Sequence, residues 1–467
     1  MNARGKHARQ PDQVYRSSFF LLASTVVTAA LGFLFWVVVA RYYSPAEVGL
    51  ATSLVSATSL IAYLSLFGLN STLIRFPAAG VSRNGQITQS LVVVGITSVL
   101  VGAGYLLGLP LYGQKLLFVR DSPMLAAAFV VFCACSGLNL LTDSVFIGAR
   151  VPQYNVIVDG LIQGLAKLAL PALLVGYGTA GIVGSTGGGY VVAVAASLLL
   201  MRSKLGWRFD LLSRGTRLRE QLRFSMASYV SSLLNLAPLM VVPLVVLQQL
   251  GAAAAGYYFV AFQIAGLLNS VSYSVGEAVF AEVSYDPSRF GVLLRRSVGI
   301  ILAVQVPAAA VVGLGSGLLL RVFGGAYATH VHGLLQVFAV GALPVALNSW
   351  SSFALKLVKQ MRAMIVSNIV YAVVVIGLAL LWAPRGLVWL GWAWAAGNLA
   401  SGLVALAALV GRRARRDAAL PDGADAASDP AQPEPERSAV RPTLTWDSSD
   451  PEQPWAQRLS RALEAHP

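Results

Sequence analysis

Lys167 stands near the middle of an apolar run, with Gln163 and Asp159 preceding it at four-residue steps. On a helix that spacing puts an amine, an amide and a carboxylate along one face. At the centre of a bilayer a lysine or an aspartate costs roughly 2.5–3.5 kcal/mol. Such side chains therefore face protein or a water-filled cavity, and they are functional candidates by default. The amine suits an anionic substrate, and the carboxylate suits a proton or a cation. The structural alternative is that Lys167 pairs within its own bundle. Three more residues fit the same description: Arg75 in "FGLNSTLIRF", Glu277 in "SVGEAVFAEV", and Asn235, a lone amide among apolar neighbours. Snorkelling to the headgroups accounts for Arg75 equally well. These six residues are the candidate substrate-binding or cavity set.

No catalytic set, metal set or cofactor motif accompanies them. "GIVGSTGGGY" at 181–190 lacks the Lys-Ser/Thr ending that holds phosphates. Its Gly184 and Gly188 fit close helix packing instead. Cys133 and Cys135 are the only cysteines. Two positions apart on a helix they point to different faces, so core packing is the better account. His330 and His332 read as members of one surface loop.

The elements that must position these residues are membrane spans. The 467 residues are 56% hydrophobic and 12% charged, with a mean hydropathy of +0.68; a soluble chain carries about a quarter charged residues. Apolar runs long enough to cross a hydrocarbon core of ~30 Å recur from residue 17 to residue 410. They lack the alternation of barrel strands, so they read as helices. The first run continues to about Ala40, beyond the ~7–15 residues of a signal h-region, and reads as a retained span.

Turn signals place spans near 17–40, 47–69, 87–110, 123–143, 155–177, 180–201, 221–247, 254–281, 291–317, 329–352, 362–383 and 387–410. "SPAE" at 44–47 reads as a helix start, with Ser44 as N-cap, Pro45 at the first helical position and Glu47 closing a capping box. Arg41, Tyr42 and Tyr43 read as interfacial anchors.

Lysine and arginine crowd one set of connections: Arg75, Arg83, Arg150, the cluster from Arg202 to Arg219, Arg295, Arg296, Lys356, Lys359 and Arg412 to Arg416. The opposite set holds Arg41, Lys115, Arg120, Arg321 and Arg385. The positive-inside rule then predicts a multi-pass protein of the cytoplasmic membrane with both termini inside. It also accounts for the net charge of +14 without nucleic acid. Trp36, Trp382 and Trp389 fall where an outer aromatic belt belongs.

Shifting the first six spans by 207 positions lays them almost on the last six, and pairs Gly49 with Gly256. An even number of spans per half makes the repeats face the same way, about an axis along the membrane normal. The expected organisation is a basic N-terminus (1–16), a six-helix lobe (17–201), a basic linker (202–220), a second six-helix lobe (221–410) and a tail (411–467). The tail is rich in Pro, Asp and Ala and reads as disordered. Trp455, Leu459 and Leu463 near its end suit a short helix on the membrane or on a partner, or else belong to a solvated tail with no specific role.

With these residues on the page, the chain resembles the polysaccharide-transporter (Wzx-like oligosaccharide flippase) branch of the multidrug/oligosaccharidyl-lipid/polysaccharide exporter superfamily. The resemblance rests on "VARYYSPAEVGLAT" after span 1, "LFGLNSTLIRF" closing span 2, "GAAAAGYYFVAFQIAGLLNSV" opening span 8, and the six-plus-six layout over 17–410. It implies two six-helix bundles meeting in a V. It also implies a substrate, a saccharide on a polyprenyl pyrophosphate turned from the cytoplasmic to the outer leaflet by alternating access. Lys167 and Arg75 would then face an anionic diphosphate.

The implied partners are this lipid-linked glycan, the bilayer and, through the tail, glycan-synthesis enzymes. The chain departs from the drug-antiporter branch, which carries an acidic residue in span 1. Cation-coupled export of small amphipathic compounds on the same fold remains the alternative, with Asp159 as the coupling group. Short outer connections argue against an enzyme, and a transport-dead scaffold stays open.

Overall fold

A computed structural model describes residues 30–75, 81–211, 218–285, 290–358 and 360–418. The expectations for 1–16, the start of span 1, Lys359 and the disordered tail lie outside these residues. The side chains of Arg75 and Glu277 also fall outside what is described.

The first six long helices are α1 (Ala30–Tyr42), α2 (Pro45–Ser65), α3 (Val81–Tyr112), α4 (Pro123–Gly148), α5 (Gln153–Leu173) and α6 (Thr179–Lys204). The second six are α7 (Leu218–Leu250), α8 (Ala252–Tyr285), α9 (Phe290–Leu314), α10 (Gly325–Leu357), α11 (Met361–Trp382) and α12 (Leu387–Ala418). Eleven helices are long and apolar enough to cross a membrane, and α1 is a shorter apolar helix. No strand occurs among the described residues. The fold is an all-α polytopic membrane protein of twelve transmembrane helices. They form two six-helix bundles related by a pseudo-two-fold along the membrane normal.

Local chemistry sets the helix ends. At α2 the Glu47 backbone N–H donates to Ser44 Oγ at 3.3 Å, and the Ser44 N–H donates back to Glu47 Oε2 at 2.8 Å. This is the predicted capping box, with Pro45 in the first turn. The equivalent turn before α8 has no such side chain; Gly251 makes it with φ +99°, open to glycine at little cost.

Several boundaries differ from expectation by a few residues, those of α2 and α4 among them. α2 ends at Ser65, because Phe67 (φ 44°) and Gly68 (φ 81°) break it; a separate short helix, Leu69–Arg75, follows. α4 runs on to Gly148, five residues beyond the predicted end at 143.

Three smaller readings are corrected. His330 and His332 belong to the first turns of α10 rather than to a loop, and His330 stacks on Tyr257 at 5.0 Å. Tyr43 is no interfacial anchor. It is 5% exposed and its hydroxyl donates to the Pro171 carbonyl at 2.7 Å. Burial, then the Glu47 carboxylate beside it, raises the Tyr43 phenol above its usual value and keeps it a donor. The tightest glycine contacts of α6 are at Gly181, Gly187 and Gly189, not at Gly184 and Gly188.

Each end of the bundle has its own apolar cluster. The larger joins Leu54, Ala57 and Ile61 of α2 to Val246 and Leu247 of α7 and to Tyr258 and Ala261 of α8, crossing between the bundles. The other, toward the basic connections, gathers Leu66, Leu73, Leu91, Leu141 and Phe146 with Tyr229 of α7. Cys133 is buried in the larger cluster. Lipid tails are as apolar as these side chains, so close packing rather than expulsion from water holds the interfaces together.

Candidate functional site: a charged interior in the first bundle

The predicted Asp159–Gln163–Lys167 row divides into two sites. Residues Val156–Gln163 of α5 wind as π-helix, and an α-helical turn resumes at Gly164. The wider turn, with its i→i+5 bonds, separates Asp159 from the pair below it. Such segments are frequent at functional sites.

Asp159 turns toward α4. Asn139 Nδ2 donates to Asp159 Oδ1 at 2.9 Å, and the Asp143 carboxyl, one turn further along α4, lies close to that of Asp159. Asn155 Nδ2 donates to the Asp143 backbone carbonyl at 3.2 Å. Asp143 Oδ1, Asn139 Oδ1 and Asn155 Oδ1 are buried with no hydrogen-bond partner. The group therefore holds two carboxyls and a surplus of oxygen acceptors, which suits a proton or a hard cation. Among the described residues no three His, Cys, Asp or Glu side chains gather as a metal centre requires.

Lys167 and Gln163 form the second site. Lys167 Nζ donates to Gln163 Oε1 at 3.1 Å and lies 4.3 Å from the centre of the Tyr190 ring on α6. Its stem fits because residue 189 is glycine; a Cβ there would come within 2.7 Å of Lys167 Cγ. Among the described residues Lys167 has no carboxylate partner, and Gln163 Nε2 is buried without an acceptor. Donors are in excess here, an arrangement that accepts an anion. Tyr63 of α2 lies where it interacts with both Tyr190 and Asp143, so four helices contribute to one polar interior.

Three of the six predicted residues thus come together. Asn235 is half-buried on α7 and has no hydrogen-bond partner among the described residues. The Arg75 and Glu277 side chains lie outside the described set. Sequence reasoning missed Asp143, Asn139, Asn155 and Tyr190. The signal was present as "LNLLTDS", but ending span 4 at 143 put Asp143 at an interface, where a carboxylate is unremarkable.

The second bundle has a polar interior of another kind. Asn348 Nδ2 donates to Asn398 Oδ1 at 3.0 Å, Ser401 Oγ to Asn348 Oδ1 at 2.9 Å, and Ser367 and Ser401 hydroxyls meet at 2.8 Å. Asn368 Nδ2 donates to Ser231 Oγ at 2.9 Å, and Ser272 Oγ bonds Gln305, whose Nε2 reaches the Ala342 carbonyl at 2.7 Å. None of these groups is charged.

The bundles are tied together at both ends. At the sparsely charged end Arg41 Nε donates to the Val322 carbonyl at 2.7 Å, Arg41 Nη2 to the Arg321 carbonyl at 3.1 Å, and Lys115 Nζ to the Leu247 carbonyl at 2.9 Å. At the basic end the Tyr229 hydroxyl donates to the Leu64 carbonyl at 2.9 Å. Two bundles of apolar helices, one with a charged interior, make up a multi-pass membrane protein.

Comparison with known proteins narrows this. Residues 14–280 match the family described as "Polysaccharide biosynthesis protein", and the chain belongs to that family. No curated protein sequence matches it. Among solved structures, the lipid II flippase MurJ in an inward closed conformation is similar with a TM-score of 0.67 at 14% identity. That match covers 84% of this chain and 87% of that one. An inward-facing multidrug resistance MATE family transporter of the MOP superfamily gives 0.63 at 14% identity, over 84% and 94%. A MOP superfamily transporter from Pyrococcus furiosus gives 0.55 at 14% identity, over 86% and 95%. At these identities the likeness is one of fold.

Proposed function

We propose that the protein flips a polyprenyl-pyrophosphate-linked oligosaccharide from the cytoplasmic to the outer leaflet by alternating access, in envelope or exopolysaccharide synthesis. The observation that carries this reading is Lys167, a membrane-interior amine whose partners among the described residues are an amide and an aromatic ring. A diphosphate entering the interior brings the anion that this site lacks, and charge-assisted hydrogen bonds offset part of its desolvation. The family's description and the flippase among the similar folds point the same way.

On this reading both termini are cytoplasmic, the basic connections lie inside, and the protein moves its substrate without making or breaking bonds. Glycan-synthesis enzymes are the partners proposed for the tail.

Deletion of the gene, followed by analysis of lipid-linked intermediates, tests the reading. The surface glycan should disappear while its lipid-linked precursor stays in the inner leaflet. Lys167→Ala should fail to restore the glycan although the protein reaches the membrane, and Lys167→Arg should restore it in part. A normal glycan profile in the deletion strain overturns the proposal.

One observation favours a second reading. Asp143 and Asp159, with the unpartnered oxygens of Asn139 and Asn155 beside them, suit a proton or cation, as export of small amphipathic compounds against an ion gradient would require. Altered tolerance to such compounds with an intact glycan would select it.

A further inference from the structure

Helices α2 and α8 meet backbone to backbone at one point. A Cβ on Gly49 would overlap the Ala252 carbonyl oxygen and lie 2.6 Å from the Gly256 nitrogen. A Cβ on Gly256 would overlap the Pro45 carbonyl oxygen and lie 3.1 Å from the Gly49 nitrogen. The relation is reciprocal: the first residue of each helix sits over the fifth residue of the other. Gly49 and Gly256 are also partners in the internal repeat, as are Pro45 and Ala252. The pseudo-two-fold axis therefore passes between the two glycines.

The obstacles at this crossing are backbone atoms, so no rotamer change makes room for a side chain. The Arg41 and Lys115 ties to the Val322, Arg321 and Leu247 carbonyls lie at the same end of the bundle. Small-residue crossings of this kind let membrane helices associate by close contact alone. They also let go without stranding a charge.

We propose that the Gly49–Gly256 crossing is the seal that closes the sparsely charged end, and that access there opens by parting α2 from α8 at this point. The proposal rests on the transporter reading in taking the bundles to alternate access and that end as the outer one. A side chain at either glycine wedges the seal and holds that end open, while the charged interior of the first bundle stays intact.

Ser53, one turn beyond Gly49 on the same face of α2 and fully buried, serves as the reporter. Ser53→Cys is placed in full-length protein carrying Cys133→Ala and Cys135→Ser. It is then exposed to a membrane-impermeant thiol reagent in right-side-out and inside-out vesicles. Gly49→Leu and Gly256→Leu should each speed labelling at least tenfold from the face bearing the sparsely charged end. Gly104→Leu, where a Cβ meets nothing within 4 Å, should leave labelling unchanged.

Native-rate labelling in inserted Gly49→Leu and Gly256→Leu protein overturns the seal. Should the leucine variants fail to accumulate, Gly49→Ala decides, because one methyl already overlaps the Ala252 carbonyl; unchanged labelling there overturns it equally. Accelerated labelling from the inner face alone refutes the assigned orientation and leaves the seal standing. Because the readout is labelling and not glycan, loss of the substrate assignment does not change it.

Discussion

The two bundles share a layout and differ in what they bury. In α1–α6 the interior holds Asp143, Asp159 and Lys167 together with unpartnered amide oxygens. Among the described residues of α7–α12 it holds a network of Asn, Gln and Ser that answers most of its donors internally. An interhelical hydrogen bond in a membrane contributes about 0.6 kcal/mol on average, up to about 1.7. A buried carboxylate or amine costs several times that. The neutral network is of a size that explains itself as packing glue. The charged interior does not, so on the proposed transport reading the first bundle is where a substrate or an ion would bind.

The largest effect that tests this contrast is expected at the carboxyl pair. Asp143→Asn and Asp159→Asn should each reduce glycan restoration by roughly tenfold or more. The double variant should be no worse than either single one, since the two groups act as one site. Simple additivity in log activity would show that they act separately. At Asn348, the centre of the neutral network, Ala substitution should lower stability by about 1–2 kcal/mol. Detergent-solubilised melting would fall accordingly, and activity per molecule in the membrane would stay near normal. A specific transport defect at unchanged abundance would break the comparison. The smallest effect is expected at Asn235, where an apolar replacement such as Asn235→Leu leaves no partner behind and should change stability and activity by less than twofold.

Much of this molecule is written in its sequence as periodicity and punctuation. The capping box at Ser44 and Glu47 is legible because its chemistry is local, four residues long and independent of the rest of the fold. The same holds for the spans, whose ends differ from expectation by a few residues. Those few residues matter at Asp143: where a span ends decides whether its carboxyl counts as interfacial or buried.

The π-turn in α5 is not legible, since an i→i+5 turn leaves no residue pattern that an α-helix would not also carry. It changed which residues meet Asp159. Tyr43 misled for a different reason: a tyrosine beside an arginine at a span end looks like a headgroup anchor until the Pro171 carbonyl, far away in the chain, is brought to its hydroxyl. The repeat is the reverse case. Gly49 and Gly256 were paired by position alone, and the fold places them in contact.

Arg41, Lys115 and Tyr229 cross between the bundles to bond backbone carbonyls, not side chains. Every amino acid at positions 64, 247, 321 and 322 supplies that oxygen. Side-chain changes at those four acceptor positions therefore leave the ties intact, provided Arg41, Lys115 and Tyr229 are kept. Two halves joined in this way can differ inside, one ionic and the other neutral among its described residues, without loosening along the seam.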